Sequence, residues 1–301
     1  MNHPFGRWAL AMVLGAGLAA TPASAQLETT LESLSGEFAQ GYLGPLADGM
    51  SGSMNSGIFR NGDVPFAGLN LTLDLKAVVV GFSDDHQTYT AEVEDFGSGE
   101  VPTVVGSLEP GSLTGPGGAT LPFPGGFDLE HFGIAVPQLT VGSVYGTRAI
   151  IRYISLSLGD EDDDLGEFSY WGIGGQHSVS RYLPGLPVDV AAGLMYQKFN
   201  IGKDDLVTAK ALAFNLTGSK KFGMVVSVEP YVGIGVDSFE MDAQYTFDND
   251  GTEEEIALTF DRQNDFHGTI GVSLNVPGVK LHGELNKAAA SGYAVGLSFG
   301  I

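Results

Sequence analysis

Large apolar residues alternate with small or polar ones along most of this chain. In Ser291–Ile301, Tyr293, Val295, Leu297, Phe299 and Ile301 share one parity, and Gly292, Ala294, Gly296, Ser298 and Gly300 share the other. This is the period of a β-strand. An uncharged strand with one large apolar face is an aggregation hazard at a soluble sheet edge, and is what a closed barrel in lipid requires. Leu69, Leu71, Leu73 and Leu75 alternate in the same way with Asn70, Thr72, Asp74 and Lys76, in a strand running to about Phe82. Further strands are expected over about 132–144, 148–158, 167–180, 188–199, 206–218, 225–247, 255–276 and 279–286. With the first and last, these make ten. The competing expectation is an ordinary strand closing a soluble all-β domain.

The connections provide a check on the count. If strands alternate in direction and the chain ends on the periplasmic side, Pro277-Gly278, Ser219-Lys220-Lys221, Pro184-Gly185 and Gly146-Thr147 are periplasmic turns, all short. The same parity sends Asp160–Asp164, Lys203-Asp204-Asp205, the tip Asp248–Glu255 and the long stretch Ser83–Gly126 outward. Short inner turns with long outer loops are the arrangement of bacterial outer-membrane barrels. Strands 225–247 and 255–276 exceed what a bilayer needs and are expected to project as an acidic hairpin.

The start of the chain has a different pattern. Arg7 precedes an apolar run from Trp8 to Ala20, and Ala23-Ser24-Ala25 supplies small residues for cleavage, so residues 1–25 read as a secretory signal peptide. Residues 26–61 form a leader. Leu27, Leu31, Leu34, Phe38 and Tyr42 fall at helical spacing, with Glu28, Glu32 and Glu37 between them, predicting an amphipathic helix that ends near Gly41 or Gly44-Pro45. Met50–Asn61, rich in Gly, Ser and Asn, reads as an extended, flexible connection. Such a leader can plug the lumen, rest across the periplasmic mouth or hang free as a mobile tail. Residues 62–301 form the barrel with an insertion at 83–126, whose Gly, Pro and acids suggest little regular structure beyond a short hairpin around Tyr89–Phe96 and Val101–Leu108.

The fold class is therefore all-β: an antiparallel transmembrane β-barrel of about 10–12 strands with an N-terminal amphipathic helix or plug. Charge narrows the partners, because 14 Lys+Arg face 36 Asp+Glu, a net of −22, which argues against nucleic acid. The absence of cysteine excludes disulfides and thiolate metal sites. The expected surroundings are outer-membrane lipid and lipopolysaccharide.

Tyr293–Ile301 resembles the C-terminal signal by which the bacterial barrel-assembly machinery recognises its clients, with Ile301 in place of the usual Phe. Gly172–Ser180 followed by Pro184–Pro187, Val101–Gly106, Thr147-Arg148 leading to Arg152-Tyr153, and Tyr42–Pro45 resemble an uncharacterised family of predicted bacterial outer-membrane barrels, carried as a domain of unknown function. The resemblance implies the fold and the outer membrane of a Gram-negative bacterium, and assigns no activity. A leader before a barrel is also similar in architecture to the long-chain fatty acid porins.

Strand parity nominates the lumen. It turns Arg152, Glu229, Tyr231, His267, Lys280, His282 and Glu284 inward, with Asp189 and Gln197 beside them. An arginine at mid-membrane on the lipid face costs about 2–4 kcal/mol. These groups read either as a satisfied polar core that holds a narrow barrel or as a polar path or binding site. Enzymatic activity is not expected: His177 and Ser178 are neighbours on a strand and point to opposite faces, out of the reach a nucleophile–base pair needs. Asp248, Asp250 and Glu255 are weak metal candidates lacking the full spacing of a calcium loop, and read more simply as a solvated tip. No cofactor is expected. The expected function is passive uptake or exchange of small molecules, hydrophobic ones included, with the leader and insertion as plug or gate; the alternative is a non-transporting structural or surface-attachment barrel.

Overall fold

The computed structural model describes residues 27, 30–31, 34–157, 167–202, 206–249, 252–288 and 290–300. The expected signal peptide, the acidic stretch 160–164, Lys203–Asp205 and Ile301 lie outside the described residues.

Helix α1 (Gly36–Met54) leads into strand β1 (Ala67–Gly81). Two small hairpins follow, β2 (Thr88–Val93) with β3 (Gly97–Pro102) and β4 (Gly111–Thr114) with β5 (Thr120–Phe123). The remaining strands are β6 (His131–Val144), β7 (Thr147–Ser157), β8 (Glu167–Ser178), β9 (Asp189–Ile201), β10 (Val207–Ser219), β11 (Ser227–Asn249), β12 (Thr252–Val276), β13 (Val279–Lys287) and β14 (Gly292–Gly300). β1 and β6–β14 form a closed antiparallel barrel of ten strands, sealed where β1 pairs with β14 from Thr72↔Gly300 to Val80↔Gly292. Closure leaves no edge strand, so every ladder group finds a neighbour.

The alternation sorts the faces as the sequence implies. Leu71, Leu73, Leu75, Val232, Ile234, Ile270, Val272, Leu281, Leu285 and Val295 are exposed on the outside, while Asp74, Lys76, Arg152, Gln197, Glu229, His267 and Glu284 are buried on the inside. Large exposed hydrophobics on every wall make an outer apolar band of the kind that hydrocarbon covers.

Two expectations about the connections need correction. The turns 179–188 and 220–226 are longer than two or three residues: the first holds a short helical turn, Ser180–Tyr182, and the second an isolated bridge between Phe222 and Val228. The insertion is also more regular than its composition suggests. Its first hairpin closes early, through a turn in which Asp95 and Gly97 adopt positive φ, and a second hairpin was not foreseen. The two share a small core of Ala91, Val101, Leu113 and Phe123.

The leader departs most from expectation. α1 does not end at Gly44-Pro45 but continues through Pro45 to Met54, and Gly49–Arg60 are all buried rather than flexible. The physical reason is space. Added Cβ atoms at Gly41 and Gly49 would stand 2.3 Å and 2.8 Å from the rings of Tyr89 and Phe82. A run of small residues that reads as a loose linker in water is here what fits inside a narrow barrel.

Gly62 marks a tight passage of the leader. A Cβ there would lie 2.2 Å from the Asp189 carbonyl and 2.9 Å from that of Thr217, both backbone atoms. Gly62→Ala is expected to destabilise the folded barrel by about 1–3 kcal/mol, measured as the midpoint of urea unfolding in micelles.

Candidate functional site: the occupied lumen

The barrel interior has two zones. Toward the long-loop end it is apolar: Tyr42, Leu43, Met50 and Met54 of α1 pack with Phe132, Phe168, Tyr170, Phe199, Phe239 and Met241 of the wall, and Val104 and Val105 of the insertion close over them. The Val104 N–H donates to the Tyr42 carbonyl (3.0 Å) and the Tyr42 hydroxyl donates to the Gly125 carbonyl (3.0 Å). Burial, with a smaller contribution from Tyr89, raises the Tyr42 phenol far above its usual range, and burial pushes Tyr89 up to about 12. The projecting β11–β12 hairpin supports the far side of α1. Tyr245 donates to the Leu34 carbonyl (3.0 Å) and Arg262 pairs with Asp48 (2.6 Å).

Toward the short-turn end the interior is polar, and its polar groups are spent on the leader. Arg152 Nη1 donates to the Met54 carbonyl (3.3 Å) and Nη2 to that of Ser56 (3.2 Å), while Gln138 and Gln197 accept from the same guanidinium at 2.9 Å each. Gln197 also donates to the Met54 carbonyl (2.8 Å), and Gln138 to that of Ile58 (3.2 Å). Lys76 Nζ donates to the carbonyls of Gly57 and Ile58. Glu284 accepts from the Gly57 N–H (2.8 Å) and from the Tyr231 hydroxyl (2.7 Å). Arg60 of the leader pairs with Asp74 on β1 and donates to Ser298 on β14. Below it, Arg148 and Gln176 donate to the Asn61 carbonyl, and the Gly62 N–H donates to Ser219, whose hydroxyl donates to Glu229 (2.8 Å). The leader thus descends from the long-loop end through the lumen to the short-turn end, where β1 begins.

The nominated residues occupy this zone but not as one cluster. Arg152, Tyr231 and Glu284 grip the leader directly, and Glu229 acts through Ser219. His267 is buried between Asp237 (2.6 Å) and Asn286 (3.0 Å). His282 is buried with its ring where a Cβ at Gly296 would fall, 2.2 Å away. Lys280 lies near the short-turn end and is partly buried. Asp237, His267, Glu284 and Asn55 line a cavity of about 10 Å³, room for a single water. Of the weak metal candidates, Glu255 is exposed on β12, Asp248 pairs with Glu253 in the β11–β12 ladder, and Asp250 lies outside the described residues. No group of three or more metal-type ligands occurs among the described residues. His177 touches Thr147 and Tyr182, while the Ser178 hydroxyl lies 3.4 Å from that of Ser180.

Sequence reasoning missed Asp74, Lys76, Gln138 and Arg60. The first two follow from the parity of the first strand, which places them with Thr72 opposite the leucines. Arg60 carried no signal, because it sits in the stretch that read as a linker.

A family model described as a family of unknown function (DUF6588) matches residues 7–301. The chain belongs to that family. No curated protein matches it. Solved structures similar to this DUF6588 chain include a double mutant of the Rhodopseudomonas blastica porin (13% identity, covering 78% of this chain and 100% of that one, TM-score 0.17). Others are a BenF-like porin from Pseudomonas fluorescens (7%, 78% and 98%, 0.16) and a FadL homologue from Pseudomonas aeruginosa (8%, 84% and 96%, 0.15). At such scores the likeness carries no information about function.

Arg152→Met removes the donors to Met54, Ser56, Gln138 and Gln197 at once and leaves buried acceptors unpaired. It is expected to cost on the order of 3 kcal/mol, with faster amide exchange at Gly57 as the local readout by hydrogen-exchange mass spectrometry.

Proposed function

We propose that this protein is an outer-membrane β-barrel stoppered by its own leader, serving passive exchange of small molecules, hydrophobic ones included, when the leader is displaced. Residues 26–61 are the plug and 62–301 the barrel. The apolar exterior, the short-turn and long-loop ends and the signal-peptide pattern of residues 1–25 support the outer membrane. The observation that carries the transport reading is the chemistry of the polar zone. There side chains of the wall hold the leader mainly through its backbone, with one small apolar cluster of Ile58 and Phe59 against Ile150, Met195 and Ala213, so water entering from the short-turn end can replace most of the hydrogen bonds with little loss. At the seam the ties run through Lys76 and Asp74 on β1, Ser298 on β14 and Glu284 on β13. The acids of the long-loop end favour cations at the outer mouth.

The alternative, a non-transporting structural barrel, is favoured by the apolar zone, whose packing around α1 resembles a permanent core. Single-channel conductance separates the two. The full chain is expected to be silent or to open rarely in planar bilayers, whereas the Arg60→Ala/Lys76→Met variant and a form lacking Gln26–Asn61 are expected to show cation-preferring steps. A folded Arg60→Ala/Lys76→Met barrel as silent as the parent would favour the structural role.

A further inference from the structure

The two rims of the barrel differ in charge. Between Ala77 and Thr147, which includes the insertion, there are nine acids and no Lys or Arg. The turns at the opposite end carry Arg181, Lys220 and Lys221. They are also apolar where they are exposed: Met224 is 93% exposed, and Tyr145, Tyr182, Leu183 and Leu186 are exposed as well. A rim that combines cations with exposed apolar side chains suits a lipid interface whose headgroups bear phosphate.

One groove of the outer wall reaches this rim. On the outer wall, an apolar groove of about 530 Å³ runs over β8 and β9, floored by Gly175 and Ala192 and walled by Ile173, Leu194, Tyr196 and Phe214. With no side chain at Gly175 and only a methyl at Ala192, the floor of the groove lies below its walls. Its foot, at the short-turn end, is polar. There His177 bonds Thr147 (2.7 Å) and the Tyr182 hydroxyl (3.0 Å). Beside them the Arg181 guanidinium lies 4.7 Å over the Phe66 ring and 5.3 Å over that of Tyr182. It is exposed, and the Tyr145 carbonyl engages one edge of it. Stacked and tethered in this way, it is preorganised with further N–H donors available to an anion, and a guanidinium fork matches phosphate geometry.

We propose that this groove and the Arg181 cluster bind an anionic glycerophospholipid of the leaflet at the short-turn end, with an acyl chain over Gly175 and Ala192 and the phosphate on Arg181. The site rests on the outer-membrane reading. Because every lipid offers an acyl chain, selectivity comes from the headgroup, and a single cation at the interface gives a preference of about fivefold.

Trp171 stands next to the groove, its ring 5.6 Å from that of Tyr196, and reports on what occupies it. The chain from Gln26 onward, in which Trp171 is the one tryptophan, is reconstituted in vesicles of phosphatidylcholine containing either brominated phosphatidylglycerol or brominated phosphatidylcholine, and quenching of its fluorescence gives the relative binding constant. Phosphatidylglycerol is expected to be favoured about fivefold, falling toward unity in Arg181→Ala and also in Ala192→Leu, which fills the groove and leaves the rim charge untouched. Equal quenching by the two lipids, or a preference unchanged in both variants, overturns the site and leaves the barrel reading standing. Quenching by neither lipid overturns both.

Discussion

The constraint on which this structure depends is that an irregular peptide inside a closed barrel has no water to satisfy its backbone. Buried carbonyls and N–H groups must be paired, and residues 55–62, beyond the end of α1, lie in neither helix nor ladder. The wall supplies the partners instead, as Arg152, Lys76, Gln138, Gln197, Glu284 and Ser219 each face a carbonyl or N–H of the leader. The charges of the lumen are therefore explained first by the leader. In a barrel without the leader, the same inward Arg, Lys and Glu would have to take water in place of these partners. Leader and wall form one folding unit.

That arrangement divides the interior by chemistry. Where the leader is helical its own backbone is satisfied, so the surrounding wall can be apolar, and Phe168, Phe199, Phe239 and Met241 pack against α1. Where the helix ends at Met54, the wall turns polar within a turn, beginning with Arg152 and Gln197 on the Met54 carbonyl. The seam completes the pattern. β1 follows directly from the leader and closes the barrel on β14, so Arg60, bound to Asp74 on β1 and Ser298 on β14, ties plug to closure at one point.

The wall was legible in the sequence and its contents were not. Period-two alternation is a local signal, and Leu281, His282, Gly283, Glu284 and Leu285 declare their faces without reference to anything distant. The number of strands and the two ends followed from it. The fate of the leader depends on non-local space. Gly49, Gly52, Ser53, Ser56 and Gly57 read as a linker because small residues cannot anchor a segment in water, and inside a barrel the same smallness is what admits them. For the same reason Arg60 gave no sign of its role. The second hairpin of the insertion was hidden by Gly and Pro, which here shape turns around a four-residue core.

The central claim is that the leader lies inside the barrel, and the cysteine-free chain makes it directly testable. A Cβ at Gly57 would stand 3.4 Å from that of Ala294 on β14, just under the roughly 3.5–4.5 Å between the Cβ atoms of a disulfide, a gap that a small shift of the leader closes. In Gly57→Cys/Ala294→Cys, mild oxidation of the folded protein is expected to cross-link leader to wall in most molecules, seen as a changed mobility of the unfolded chain that reductant reverses. A folded barrel whose two thiols remain free and are both labelled by a water-soluble maleimide would contradict the account.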